Sequence, residues 1–368
     1  MPPAIRLLVA APLLVLASCA LPPQRSVPPP APAPAPTLPR VAEPPAPAPA
    51  APVPAPPPTT QAPVPPAPEE RGAALRAWVE QQSRLYRVAA PLLINNTELC
   101  PQHARPILGF TAKNRYSFSS GFIEAAQASL GLGDELRVMD VLPGSGAEQA
   151  GLRKGDVLVA VEIEPAPQGP GAEHMAAALI GEETQGRDSL HLGISRAGER
   201  MAFDIPLTPA CAMALDLGNS DDVGSFSDGR RVMLTRGMLG FARSDQELAY
   251  ALATEIARNE VISDARPAMA ELIDRLHTIG SAAASGDAPP ATQGHSASGD
   301  STDRLALYLL ARAGYDIDGF PAFLDRLDAA NGSTAPENPP GADARATMLE
   351  QAVREVKTKK EDGQPLVP

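Results

Sequence analysis

Residues 136–161 read LRVMDVLPGSGAEQAGLRKGDVLVAV. The apolar run at 136–142 predicts a strand, and the cluster Pro143-Gly144-Ser145-Gly146 ends it in a turn. A short helical stretch reaches Ala150. Gly151-Leu152 and Gly155-Asp156 then form a corner into a second strand at 157–161. Further on, 172–180 has the spacing of an amphipathic helix. Leu190, Leu192 and Ile194 alternate before a turn at Arg196-Ala197-Gly198-Glu199, and Met201, Phe203 and Ile205 alternate after it, as in a hairpin. Strands and helices mixed in this way predict an α+β class.

The C-terminal half changes period. Ser244 and Glu247 have capping-box spacing, and Leu248, Leu252 and Ile256 recur at i, i+4 and i+8, predicting a helix over 245–258. A second helix is predicted from Thr302-Asp303-Arg304-Leu305 onward, ending at Ala313-Gly314-Tyr315-Asp316. Residues 73–94, around Trp78, and 344–360 have helical spacing too, and Lys357, Lys359 and Lys360 suit a helix C-terminus.

The N-terminal part cannot belong to this folded unit. Of 43 prolines, 22 lie between residues 21 and 70, alternating with alanine. Such a segment buries too little apolar surface to offset its ordering entropy and is expected to stay disordered. Its 47 residues, 22–68, would reach ~145 Å at ~3.1 Å per residue in an extended polyproline conformation. Before it, one Arg precedes an apolar run at 7–17, short for a membrane span and suited to a signal peptide. The formal charge of −12, without a basic run, argues against a nucleic-acid partner. Three Cys and five His do not supply a zinc-finger array.

Three resemblances extend this reading. Leu16-Ala17-Ser18-Cys19 resembles a bacterial lipobox, which implies lipid on Cys19, a membrane partner through that anchor and, with Ala20 next, an outer-membrane site facing the periplasm. In that compartment the remaining Cys100 and Cys211 are expected to pair. The stretch 136–161 resembles the PDZ domains of periplasmic HtrA-type proteases. The resemblance implies binding of protein or peptide C-termini as an added strand, with loop amides holding the carboxylate. Leu130, Gly131 and Leu132 are the candidate loop for this role.

The third resemblance is to gluzincin metallopeptidases of the HtpX and BepA type, carried by Asp228-Gly229-Arg230, Thr235-Arg236-Gly237-Met238 and Glu247-Leu248-Ala249. The family's H-E-x-x-H motif falls on Thr254-Glu255-Ile256-Ala257-Arg258, and its third ligand on Gly299, with Asp300 the nearest carboxylate. A hydroxyl, a guanidinium and a glycine replace the zinc ligands, which leaves Glu255 a vestigial catalytic residue paired with Arg258 at i+3. A late family His falls on Ala335-Pro336.

The expected order is a signal peptide at 1–18, a Pro/Ala-rich linker at 19–70 and a helical segment at 71–118. A PDZ-like β-barrel or sandwich at 119–207 is then inserted into a mainly helical metallopeptidase-like scaffold at 208–368. The implied function is a periplasm-facing lipoprotein with no metal cofactor that binds exposed chain ends without cutting them. The alternatives are a zinc endopeptidase with atypical ligands, drawing on His277 or His295, and a structural tether.

Overall fold

The computed structural model describes residues 68–261, 298–331 and 342–368. The signal segment, Cys19, nearly all of the linker, His277, His295 and Ala335-Pro336 lie outside the described residues.

Helix α1 (Pro68–Ile94) leads into a short strand β1 (Ala104–Ile107). An antiparallel sheet follows, built from β2 (Phe110–Lys113), β3 (Arg137–Val141), β4 (Val157–Val161), β5 (Glu164–Pro165), β6 (Ser189–Arg196) and β7 (Glu199–Pro206). The strand order is β2-β3-β4-β6-β7, with β5 also on β4. Helix α2 (Ile123–Leu130) lies between β2 and β3, α3 (Gly146–Gln149) between β3 and β4, and α4 (Ala172–Glu183) between β5 and β6. The sheet is open, with β2 and β7 as edges, so the barrel or sandwich expected from sequence does not close. It also takes β2 from upstream of residue 119, where Phe110–Lys113 pairs antiparallel with the free side of β3.

Strand β8 (Thr208–Cys211) pairs with β1. Strands β9 (Ala214–Gly218), β10 (Ser225–Ser227) and β11 (Arg231–Thr235) form a second sheet in the order β10-β11-β9, with β11 parallel to β9. Among the described residues, helices α5 (Arg236–Phe241), α6 (Asp245–Val261), α7 (Ser298–Arg312), α8 (Phe320–Ala330) and α9 (Ala342–Glu361) follow. Thr235 caps α5 by accepting from the Met238 amide at 3.0 Å. Ser244 accepts from the Glu247 amide, while Glu247 reaches back to the Arg243 N–H and grips Arg326 through both oxygens.

One core surrounds α6, which is buried on almost every side by α1, α7 and the β9–β11 sheet. A second fills the space between the six-stranded sheet and α4. The third is small, where Leu75 and Val79 of α1 meet α2 and Met139 of β3. The Gly155-Asp156 corner fixes the second core. Burial works against ionisation of Asp156, yet two Arg196 nitrogens at 2.7 Å and the Arg153 amide hold its carboxyl below the usual range.

A Cys100–Cys211 disulfide with Cα atoms 5.8 Å apart ties the segment after α1 to β8. Beside it, buried His103 pairs with Glu260 and contacts the Gly229 carbonyl at 2.6 Å. The corner Ala313-Gly314-Tyr315 closes α7, with the Tyr315 amide on the Leu310 carbonyl and its hydroxyl on the Val88 carbonyl. On α9, Glu355 accepts from Lys359, the Tyr308 hydroxyl and Arg304, which holds its carboxyl at about 2.

Two outcomes follow from these ties. Replacing both Cys100 and Cys211 by Ser lowers unfolding stability by ~2–5 kcal/mol, read from urea denaturation midpoints. Glu355 is depressed in the folded state, so its contribution is complete above its ordinary value near 4.5 and is lost as pH falls toward about 2. Acid titration of stability should therefore flatten across that window in Glu355→Gln.

Candidate functional site

The loop singled out from sequence does not offer its amides to a ligand. Gly131 sits at φ +65° as the cap of α2, and its N–H bonds the Gln127 carbonyl at 3.1 Å. The Leu132 amide bonds Ala126 O at 3.3 Å, and its side chain is buried with Phe118, Phe122 and Met139. Leu130, Gly131 and Leu132 thus close a helix, because an α-helix leaves its last carbonyls in need of donors. The carboxylate-binding assignment is corrected on this ground. His174, on α4, is exposed.

The free donors lie earlier, at the head of β2. The Leu108 carbonyl accepts from the Ala147 amide at 3.0 Å, and the Gly109 carbonyl from the Leu142 amide at 2.8 Å and the Ser145 hydroxyl at 3.2 Å. In a trans peptide the C=O and the following N–H point in opposite directions. The amides of Gly109 and Phe110 therefore point away from the 142–147 segment, toward the open edge of β2. Gly109 makes this possible: it adopts φ +87°, and a Cβ there would lie 2.1 Å from the Ser145 Cβ. Neither the Leu108 nor the Gly109 N–H meets an acceptor among the described residues.

The edge continues the pattern. Val138, opposite Ala112, donates to Asp156 O and accepts from the Gly155 amide, both on the β4 side. The Ala112–Val138 pair is therefore a non-hydrogen-bonded one, and the Ala112 amide and carbonyl face outward. Leu108, Phe110 and Ala112 share the core with Ala172, Ala176, Leu179 and Ile180 of α4, so strand edge and helix form two sides of an apolar trough. Lys113 links them at the far end, its ammonium 3.2 Å from Glu173. A signal for this site was present in the sequence: Ile107-Leu108-Gly109-Phe110 places a glycine among apolar residues where a strand begins.

The second candidate lies on α6. Glu255 is 1% exposed, and its Oε1 accepts from the Ser225 hydroxyl at 2.7 Å and from Arg258 Nη1 at 2.6 Å. Its Oε2 has no hydrogen-bond partner among the described residues. Thr254 donates its hydroxyl to the Tyr250 carbonyl at 3.0 Å. Gly299 falls in the first turn of α7. These residues do not fit zinc. The hydroxyl is committed to the helix backbone, the guanidinium already neutralises the carboxylate, and glycine has no donor side chain.

No family model matches the chain, and no curated protein matches it. Among solved structures it is similar to the HtrA3 PDZ domain bound to a phage-derived ligand (FGRWV). The likeness has 18% identity and a TM-score of 0.21, and covers 29% of this chain and 88% of that one.

Glu255 depends on its cation. Arg258→Ala should cost about 1–3 kcal/mol by leaving a buried carboxylate unpaired, and adding Glu255→Gln should recover most of that loss in thermal melts.

Proposed function

We propose that this chain is a non-catalytic binder of polypeptide C-termini, acting as an adaptor or holdase in the cell envelope. The observation that supports this reading most directly is the pair of consecutive outward amides, Gly109 and Phe110, at the head of an unpaired edge strand. An extended peptide adds to such an edge through backbone hydrogen bonds, and its terminal carboxylate meets the amide pair. The last side chain then lies over Leu108 and Phe110, against Leu179 and Ile180 of α4. The Pro/Ala linker and a lipid on Cys19 would hold this module at the periplasmic side of the outer membrane.

The part around α6 is read as a metallopeptidase-like scaffold whose chemistry has been replaced by an ion pair. A peptidase needs a metal to polarise water beside Glu255, and Thr254, Arg258 and Gly299 do not supply its ligands. Zinc analysis and a casein-type cleavage assay on the purified chain test this: stoichiometric metal lost on changing residues near Glu255, together with cleavage, would refute it.

Peptide capture is tested by fluorescence polarisation with labelled five-residue peptides. A free, apolar C-terminus should bind at least about tenfold more tightly than its amidated copy. Ala112→Pro deletes one outward amide without breaking a ladder bond to β3, and should weaken binding by about tenfold. Equal binding of acid and amide forms would remove the carboxylate from the reading.

A further inference from the structure

Strand β7 is the second open edge of the six-stranded sheet, and its inner ladder shows which of its groups face outward. Its hairpin with β6 keeps one register throughout, around a two-residue turn at Ala197 (φ +52°) and Gly198 (φ +88°). The His191 carbonyl accepts from the Glu162 amide at 2.8 Å, on the β4 side, so His191 and Asp204 form a non-hydrogen-bonded pair. The Leu207 amide bonds Asp188 O at 2.8 Å, in phase with that assignment. Alternation then turns the amides and carbonyls of Arg200, Ala202 and Asp204 away from β6. These groups meet no backbone partner among the described residues.

The open stretch is bounded at both ends. The 197–198 turn limits it on one side. On the other, Pro206 has no N–H to offer, and Gly146 of α3 lies over its carbonyl, where a Cβ would come within 1.7 Å of the oxygen. The middle of what remains is Ala202. A second copy of β7, laid antiparallel so that all three open positions of each strand are paired, therefore sets Ala202 opposite Ala202 on a twofold axis.

That register also matches the side chains. Arg200 and Asp204 are exposed, and each lies opposite the other residue of the second copy, giving two pairs of opposite charge. The Asp204 carboxylate is 79% exposed beside the His191 ring, so it is open to a second cation. On the other face Met201, 39% exposed, lies opposite Phe203 of the second copy, which packs only partly into the second core. Charge pairs and apolar pairs across strands both favour pairing. A slip of two residues keeps the amide phase but sets the charges against Ala202 and loses a ladder position.

We infer that β7 is a homodimerisation edge, through which two copies of this chain join their sheets about Ala202. This is independent of the carboxylate reading of β2. The two edges lie at opposite ends of the strand order, so the dimer leaves both β2 edges open.

Sedimentation velocity of the full chain over a concentration series tests this, with circular dichroism verifying the fold of each variant. The unsubstituted chain should shift toward dimer as its concentration rises. Arg200→Asp and Asp204→Arg each set like charges opposite one another and should weaken association by about tenfold. An equimolar mixture of those two variants should associate as the unsubstituted chain does, because every cross-strand charge pair is again of opposite sign. With Cys100 and Cys211 paired, a Cys19→Ser background leaves no free thiol. In it, Ala202→Cys should cross-link two copies under mild oxidation, since Cα atoms paired at that position lie ~5.5 Å apart, within disulfide reach. Arg200→Cys sets its two Cα atoms roughly 14 Å apart along the strands and should not cross-link. A chain monomeric at every concentration, a mixture no better than its components, or equal cross-linking from both positions would overturn the proposal.

Discussion

Helix α1 is the element on which the rest of the structure depends, because it is buried in two cores at once. Its first half places Leu75 and Val79 against α2 and the outer face of β3, while Leu85, Val88, Leu92 and Leu93 pack into the core around α6. Trp78 touches both clusters. A helix immobilised along its length by apolar burial is a rigid wall, since burial of each large side chain is worth about 1.5–3 kcal/mol. That wall turns the β2–β3 face, which would otherwise be solvated, into one side of a crevice.

Two sets of polar ties fasten the end of this wall to the rest of the fold. The disulfide and the His103–Glu260 pair fasten the segment after α1 to β8 and to the end of α6. In the second set, Tyr315 bonds the Val88 carbonyl, and Arg312 reaches both Asn95 O and Glu98. These ties lie near the C-terminal end of α1, and Gln82, Arg84 and Tyr86 add others along its middle. The edge of β2 is left with outward amides and an apolar trough, the combination that an incoming strand requires.

Glu255 illustrates what happens to a polar group kept in a buried helix. Its desolvation is offset by Ser225 and Arg258 on one oxygen, while the other has no partner among the described residues. The ion pair is local, at i and i+3 on α6 itself.

Much of the fold was legible from the sequence. Period-2 and period-3.6 patterns marked β4, β6, β7, α4, α6 and α9, and Gly155-Asp156 marked a corner, because side-chain alternation and turn stereochemistry are local properties. The pairing of Cys100 with Cys211 was expected from reading Cys19 as the lipidated thiol, which leaves these two in a compartment that permits disulfides. The binding edge was not so legible. Two glycine-bearing loops, at 107–110 and 130–133, read alike in one dimension, and only the tertiary structure decided between them. In one, the amides are consumed by the carbonyls that end α2; in the other, the 142–147 segment takes the carbonyls and turns the amides outward. The crevice under α1 is likewise absent from any local pattern, since its walls come from residues about 30 and 60 positions apart that only packing brings together.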